Sequence, residues 1–174
     1  MSRWKLATID ELISVYDFST GKSEINPLNR GWYWSSTPVP HREKYIWVMT
    51  ASREYVPLTY GRRDEKLLPM CVKTVRGVAR YLSIYRKPMK YSGAVNFCER
   101  LNSVRGFVEL IMRSKSDISK KIDELMIYIE ETTGVDITDD IAADVTGILT
   151  SDLYQKAKTR EIVALIKKIK DKNV

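Results

Sequence analysis

The chain has one histidine, two cysteines and no long apolar run among its 174 residues. A single imidazole, His41 between Pro40 and Arg42, cannot build a histidine metal cluster or a Ser/His/Asp relay, and reads as a surface loop residue. Cys71 and Cys98 are too few for a disulfide scaffold or a zinc site; they read as two buried thiols or as one disulfide. No P-loop, dinucleotide fingerprint or Cys-x-x-Cys is present. The acidic stretch Asp136, Asp139 and Asp140 lacks the spaced ligands and distal Glu of a calcium loop, and helix capping explains it better. Asp10-Glu11 and Glu130-Glu131 read as solvated helix faces. The expectation is a protein that is not an enzyme, with no metal and no cofactor. No segment approaches the roughly 18 apolar residues of a membrane span. The opening Met1-Ser2-Arg3-Trp4-Lys5 lacks the apolar core of a secretory signal.

What is present is charge, unevenly placed. Residues 1–114 hold 19 Lys and Arg against 10 Asp and Glu, a balance of +9. Residues 115–174 hold 10 against 12, a balance of −2. A basic front two thirds favours anionic partners: nucleic acid, an acidic protein or a polyanionic glycan.

The hydrophobic pattern changes character along the chain. Up to about residue 77, aromatic and β-branched residues sit in short runs broken by Gly, Pro and Asn. A short helix is expected over Ile9 to Ile13, and a turn at Ser19-Thr20-Gly21-Lys22. Tyr45 to Ala51 and Tyr55 to Tyr60 read as adjacent strands, with Pro57 at an edge or bulge. A charged turn, Gly61 to Lys66, leads to a third strand around Met70 to Val75. Residues 78–114 are less regular. They hold a basic aromatic segment ending at Tyr91, a helix over Ser92 to Asn102, and a further helix over Val104 to Arg113 broken near Gly106. From residue 115 the period is helical. The first stripe is Ile118, Ile122, Leu125, Met126 and Ile129, capped by Ser116 and stopped by Gly134. A second helix follows Thr138, and a third follows Ser151 with Leu153, Ile162, Leu165, Ile166 and Ile169 on one face. The predicted fold class is α+β, with a module over 1–110 and a three-helix region over 115–174 forming a small bundle or cap.

The order Trp4-Lys5-Leu6-Ala7-Thr8, Glu11-Leu12, Ile25-Asn26-Pro27, Trp32-Tyr33-Trp34-Ser35-Ser36-Thr37, Trp47-Val48 and Cys71-Val72-Lys73 resembles the Legionella collagen-like protein C-terminal domain family over about residues 3–75. That family's hallmark is Trp-Arg-Leu-Pro-Thr, then Glu-Leu, a Tyr-Trp-Ser-Ser cluster and a closing Arg-Cys-Val-Arg strand. Here Lys5, Ala7, Met70 and Lys73 depart from it. The resemblance implies a C-type-lectin-like antiparallel sheet module that binds rather than catalyses. In the family a helix with Ala-x-x-x-Cys-x-x-Leu-Asn precedes the first motif. Here that pattern stands at Ala94 to Asn102, after the closing strand. The resemblance therefore implies a permuted module in which Cys71 and Cys98 pair. The alternative is an ordinary amphipathic helix that carries a cysteine.

Alternating Trp32-Tyr33-Trp34 reads first as core. In C-type-lectin-like folds a ligand surface lies on loops beside this sheet, and Trp47, Tyr55, Tyr60, Arg62 and Arg63 are the candidate ligand-binding residues, with Tyr for stacking and Arg for acidic groups. Tyr81, Tyr85, Arg86, Lys87, Lys90 and Tyr91 are the alternative, a segment that could track a nucleic-acid backbone and stack bases. The resulting expectation is a non-catalytic recognition protein of phage or mobile-element origin. It would bind a host protein or other acidic ligand, and be cytoplasmic in the host cell or part of a virion. The alternatives are a nucleic-acid-binding protein and a virion structural or attachment subunit. The helical stripes could also pair subunits into a homodimer.

Overall fold

The computed structural model describes residues 3–17, 22–23, 31–50, 58–82 and 87–172. The turn at Ser19 to Gly21, the motif residues Ile25-Asn26-Pro27, and Ala51 to Pro57, Tyr85 and Arg86 lie outside the described residues. The chain is mixed α+β and divides into two compact units, 1–102 and 103–174. The boundary falls earlier than the expected 110–115, because Val104 to Arg113 packs with the later helices.

The first unit contains β1 (Lys5–Leu6), α1 (Ile9–Ser14), β2 (Tyr16–Asp17), β3 (Lys22–Ser23), β4 (Trp32–Pro38), β5 (Tyr45–Thr50), β6 (Leu58–Arg62), β7 (Cys71–Val75), β8 (Val78–Leu82) and α2 (Tyr91–Arg100). Two three-stranded antiparallel sheets, β4-β5-β6 and β1-β7-β8, are accompanied by the β2-β3 pair. Residues 67–70 stitch the sheets together. Leu68 N donates to Trp32 O and Trp34 N to Leu68 O, both at 2.9 Å, and Ala7 N donates to Met70 O at 2.9 Å. The core between them is Ala7, Leu12, Tyr33, Met49, Met70 and Val72, with Tyr81 packed against it.

The motif residues have identifiable local work. Trp4 and Leu6 are buried, at 2% and 4% exposure. Thr8 caps α1 in a capping box: its hydroxyl accepts from Glu11 N at 3.2 Å, and Glu11 Oε2 accepts from Thr8 N at 2.8 Å. Glu11 also pairs with Lys5 at 3.0 Å, so it is a structural carboxylate and not a solvated face. Burial raises its pKa, but the Thr8 backbone bond and Lys5 outweigh burial and leave it below its usual value. Ser35 is fully buried; its hydroxyl donates to Trp47 O at 2.6 Å and accepts from Thr37 N at 3.1 Å, where the β4-β5 register shifts.

Residues 78–82, at the start of the stretch that is less regular in sequence, form a strand. Arg76 and Gly77, at φ 49° and 80°, make the tight turn that returns β8 along β7. α2 then packs on β1 and β4, and Cys98 is joined to Cys71 with the Cα atoms 5.4 Å apart. Asn102 ends the unit, its side chain bound to the backbone of Trp4.

The second unit is four helices: α3 (Val104–Arg113), α4 (Ile118–Thr133), α5 (Asp139–Thr150) and α6 (Gln155–Lys172). α3 runs through Gly106 without a break; the interruption falls at Ser103, whose hydroxyl accepts from Gly106 N at 3.0 Å. Asp117, not Ser116, caps α4 by accepting from Lys120 N at 2.8 Å, and Gly134 stops it in the left-handed conformation at φ 70°. Thr138 caps α5. Leu153 lies before α6 and is 44% exposed, so it is not part of the buried stripe. That stripe is Ile162, Ile166 and Ile169, which joins Leu125, Ile129, Val145 and Leu149 among the buried residues. Phe107 stacks on Tyr128 at 3.9 Å between ring centres. Lys121 Nζ donates to Met112 O, and Lys158 Nζ to Leu149 O, so two lysines close the ends of α3 and α5. Among the described residues no helix is long and apolar enough to cross a membrane.

Candidate functional site

Strand alternation decides which side chains share a surface. In the β5-β6 pair Tyr45 faces Arg62, Trp47 faces Tyr60 and Met49 faces Leu58, so these six share one side of the sheet. The inner end of that side, Met49, is buried. The outer end is solvated: Tyr60 is 46% exposed and Arg62 is exposed. Ile46, Val48 and Gly61 turn to the other side, where a Cβ on Gly61 would come within 3.4 Å of the Trp34 ring.

The β4-β5 loop supplies a further cation. Val39 N bonds Tyr45 O at 3.2 Å and closes the loop, within which His41 takes φ 59°. Arg42 is carried over the outer end of the sheet. Its guanidinium carbon lies 6.0 Å from the Tyr45 ring centre and 5.2 Å from that of Tyr60. The two rings meet edge to face at 5.3 Å. The surface is therefore an arginine held over a tyrosine pair, which limits its rotamers before any ligand arrives. Beside it Arg62 pairs with Asp64 at 3.2 Å, and Arg63 N donates to Lys44 O at 3.0 Å. The depression formed by residues 38–44 and 62–64 collects Arg42, Lys44, Arg62 and Arg63 against Glu43 and Asp64.

Of the candidate ligand residues, Trp47, Tyr60 and Arg62 come together on this side. Arg63, in the turn after β6, lines the same depression, and its guanidinium carbon lies 5.1 Å from the ring centre of Tyr91, which in turn meets Trp34 edge to face at 5.6 Å. Tyr55 lies outside the described residues. Sequence reasoning passed over Arg42 and Tyr45. Tyr45 stands two positions before Trp47, and that spacing alone assigns it to the same side. Trp34 and Tyr33 are core, at 0% and 2% exposure.

The alternative segment is divided between elements. Tyr81 lies in β8, its ring against the core and its hydroxyl donating to Glu11 O at 3.0 Å. Tyr91 opens α2 and is half-buried beneath Arg63. Lys87 and Lys90 are exposed, and Tyr85 and Arg86 lie outside the described residues. The two described rings are thus used inside the unit, away from an open stacking surface.

Among the described residues no group of His, Cys, Asp and Glu could hold a metal ion. The Arg42–Tyr45–Tyr60 surface offers charge-assisted hydrogen bonds and ring faces, the means of recognising an acidic group. Comparison with family models, with curated proteins and with solved structures returned no match for this chain.

Proposed function

We propose that the protein is a non-catalytic recognition protein whose first unit is a permuted C-type-lectin-like module. It binds an acidic protein or polyanionic ligand through the outer end of the β4-β5-β6 sheet. The observation that carries the binding role is the double stacking of Arg42 on Tyr45 and Tyr60. A guanidinium held in this way loses little freedom when it engages a carboxylate or sulfate. The lectin-like reading draws support from the Cys71–Cys98 bond and from α2, which packs on β1 although it follows β7 in the chain.

A phage or mobile-element origin belongs to the same reading, and the disulfide bears on where the protein works. Such bonds persist at virion and cell surfaces and are rare in a reducing cytosol. This favours a virion-displayed attachment role over an intracellular inhibitor. The test is capture of partners on the immobilised full chain, with and without nuclease, beside an Arg42→Ala/Tyr60→Ala variant. The expected partner survives nuclease and is lost with the variant. If no partner survives nuclease, or if the partner that survives it is retained by the variant, the proposal is overturned.

A further inference from the structure

The second unit is nearly neutral, with 12 Lys and Arg against 13 Asp and Glu, but its charge is sorted by helix. α3 and α6 together hold nine Lys and Arg against three acids, whereas α4 and α5 hold two against seven. The basic helices pack on each other and leave a groove of about 760 Å³ along their contact. Arg105 and Arg113 line it from α3, and Lys156, Arg160 and Lys167 from α6, all five exposed. They recur at helical spacing: Arg105 and Arg113 two turns apart, and Lys156, Arg160 and Lys167 along one stripe. That stripe runs about 16 Å at 1.5 Å per residue. Lys158, which caps α5, is absent from the groove. Within it Glu109 binds Arg105 Nε at 2.8 Å. At its mouth stands Tyr154, 70% exposed.

We infer that this groove is a binding site for single-stranded nucleic acid, separate from the acidic-ligand surface of the first unit. Rows of cations on both walls follow a sugar-phosphate backbone, and an exposed tyrosine at the end of the row stacks a base. An acidic peptide carries the same charge, but its affinity rests on anchors buried in apolar pockets. The lining here offers little beyond Val163 and Ala164 for such anchors.

The experiment is fluorescence anisotropy of a labelled oligothymidylate with the full chain across a salt series. The logarithm of affinity is expected to fall linearly with the logarithm of salt concentration. Lys156→Gln/Arg160→Gln is expected to make the slope shallower by about 1.4, at about 0.7 per phosphate contact. Tyr154→Ala is expected to weaken binding about tenfold, the worth of one stacked base, and to leave the slope alone. Lys120→Gln, on α4, and Arg42→Ala, on the first unit, are expected to change neither quantity. Arg113→Gln and Lys167→Gln repeat the test singly, should the double variant fail to fold. Unchanged affinity and slope in the groove variants overturn the inference. So does displacement of the oligonucleotide by oligoglutamate at equal charge concentration. A concentration-dependent dimer that Lys156→Gln/Arg160→Gln abolishes would identify the acidic helices of a second copy as the occupant, and would also overturn it.

Discussion

Asn102 completes the backbone of Trp4 as a neighbouring strand would: Oδ1 accepts from Trp4 N at 2.7 Å and Nδ2 donates to Trp4 O at 2.9 Å. The two residues are 98 positions apart, so the last side chain of the first unit fastens the residue that leads into β1. Asn102→Ala removes both bonds beside a nearly buried residue. Stability of the first unit is expected to fall by about 1–3 kcal/mol, with Asn102→Asp intermediate because it keeps the acceptor. All four tryptophans lie in this unit, so urea denaturation followed by tryptophan fluorescence reads it separately from the helical unit. An unchanged midpoint for Asn102→Ala would show that the pairing contributes nothing.

The Cys71–Cys98 bond closes a loop of 27 residues between buried sulfurs. Cys71→Ala/Cys98→Ala is expected to cost the first unit about 3.5 kcal/mol, chiefly by freeing the unfolded chain. The same tryptophan signal measures the loss. Titration of the native protein with a thiol reagent is expected to find no free thiol.

Arg42→Ala and Tyr60→Ala are expected to weaken partner binding at least tenfold each, as residues central to a recognition patch do. Both side chains are exposed, so thermal stability should shift by no more than about 0.5 kcal/mol. Their coupling is checked by the double variant. Losses that simply add would mean that the stacked arrangement is irrelevant to binding.

Glu11 gives the first unit a dependence on acid. Its folded pKa lies below the unfolded value, near 4.5, because Thr8 and Lys5 favour the ionised form despite burial. The carboxylate therefore binds fewer protons folded than unfolded at mildly acid pH. Its contribution is complete above the unfolded value and is lost as pH falls through the folded one. Glu11→Gln is expected to lower stability at neutral pH and to flatten the decline below about pH 4.5. Parallel acid limbs in parent and variant would remove Glu11 as a cause.

Much of the architecture was legible in local pattern. The stripes of α4 and α6 and the stop at Gly134 follow from spacing and one glycine. The β5-β6 pairing follows from aromatic and β-branched content. Helix ends moved by a residue or more where two capping residues competed, as Ser116 and Asp117 do before α4. β8 was missed because Val78 to Leu82 carries no clean alternation, and its strand state depends on β7 alongside. Trp47, Tyr60 and Arg62 fall on one side of the β5-β6 pair, a grouping that strand alternation makes legible. Arg42 was not legible, since a loop residue reaches Tyr45 and Tyr60 only after the hairpin has formed. Arg63 follows β6 and lies over the Tyr91 ring, a contact between residues 28 positions apart that local pattern does not reveal.

The helix that locks the β1-β7-β8 sheet is made after the sheet itself. On a ribosome adding about 5–20 residues per second, Cys71 emerges one to several seconds before Cys98. Within that interval β7 and β8 are completed, but neither the sulfur partner nor Asn102 has arrived. Early chains would thus expose Trp4 and Leu6 to passing chaperones, and a stop codon ahead of residue 98 would yield strands with no means of closing.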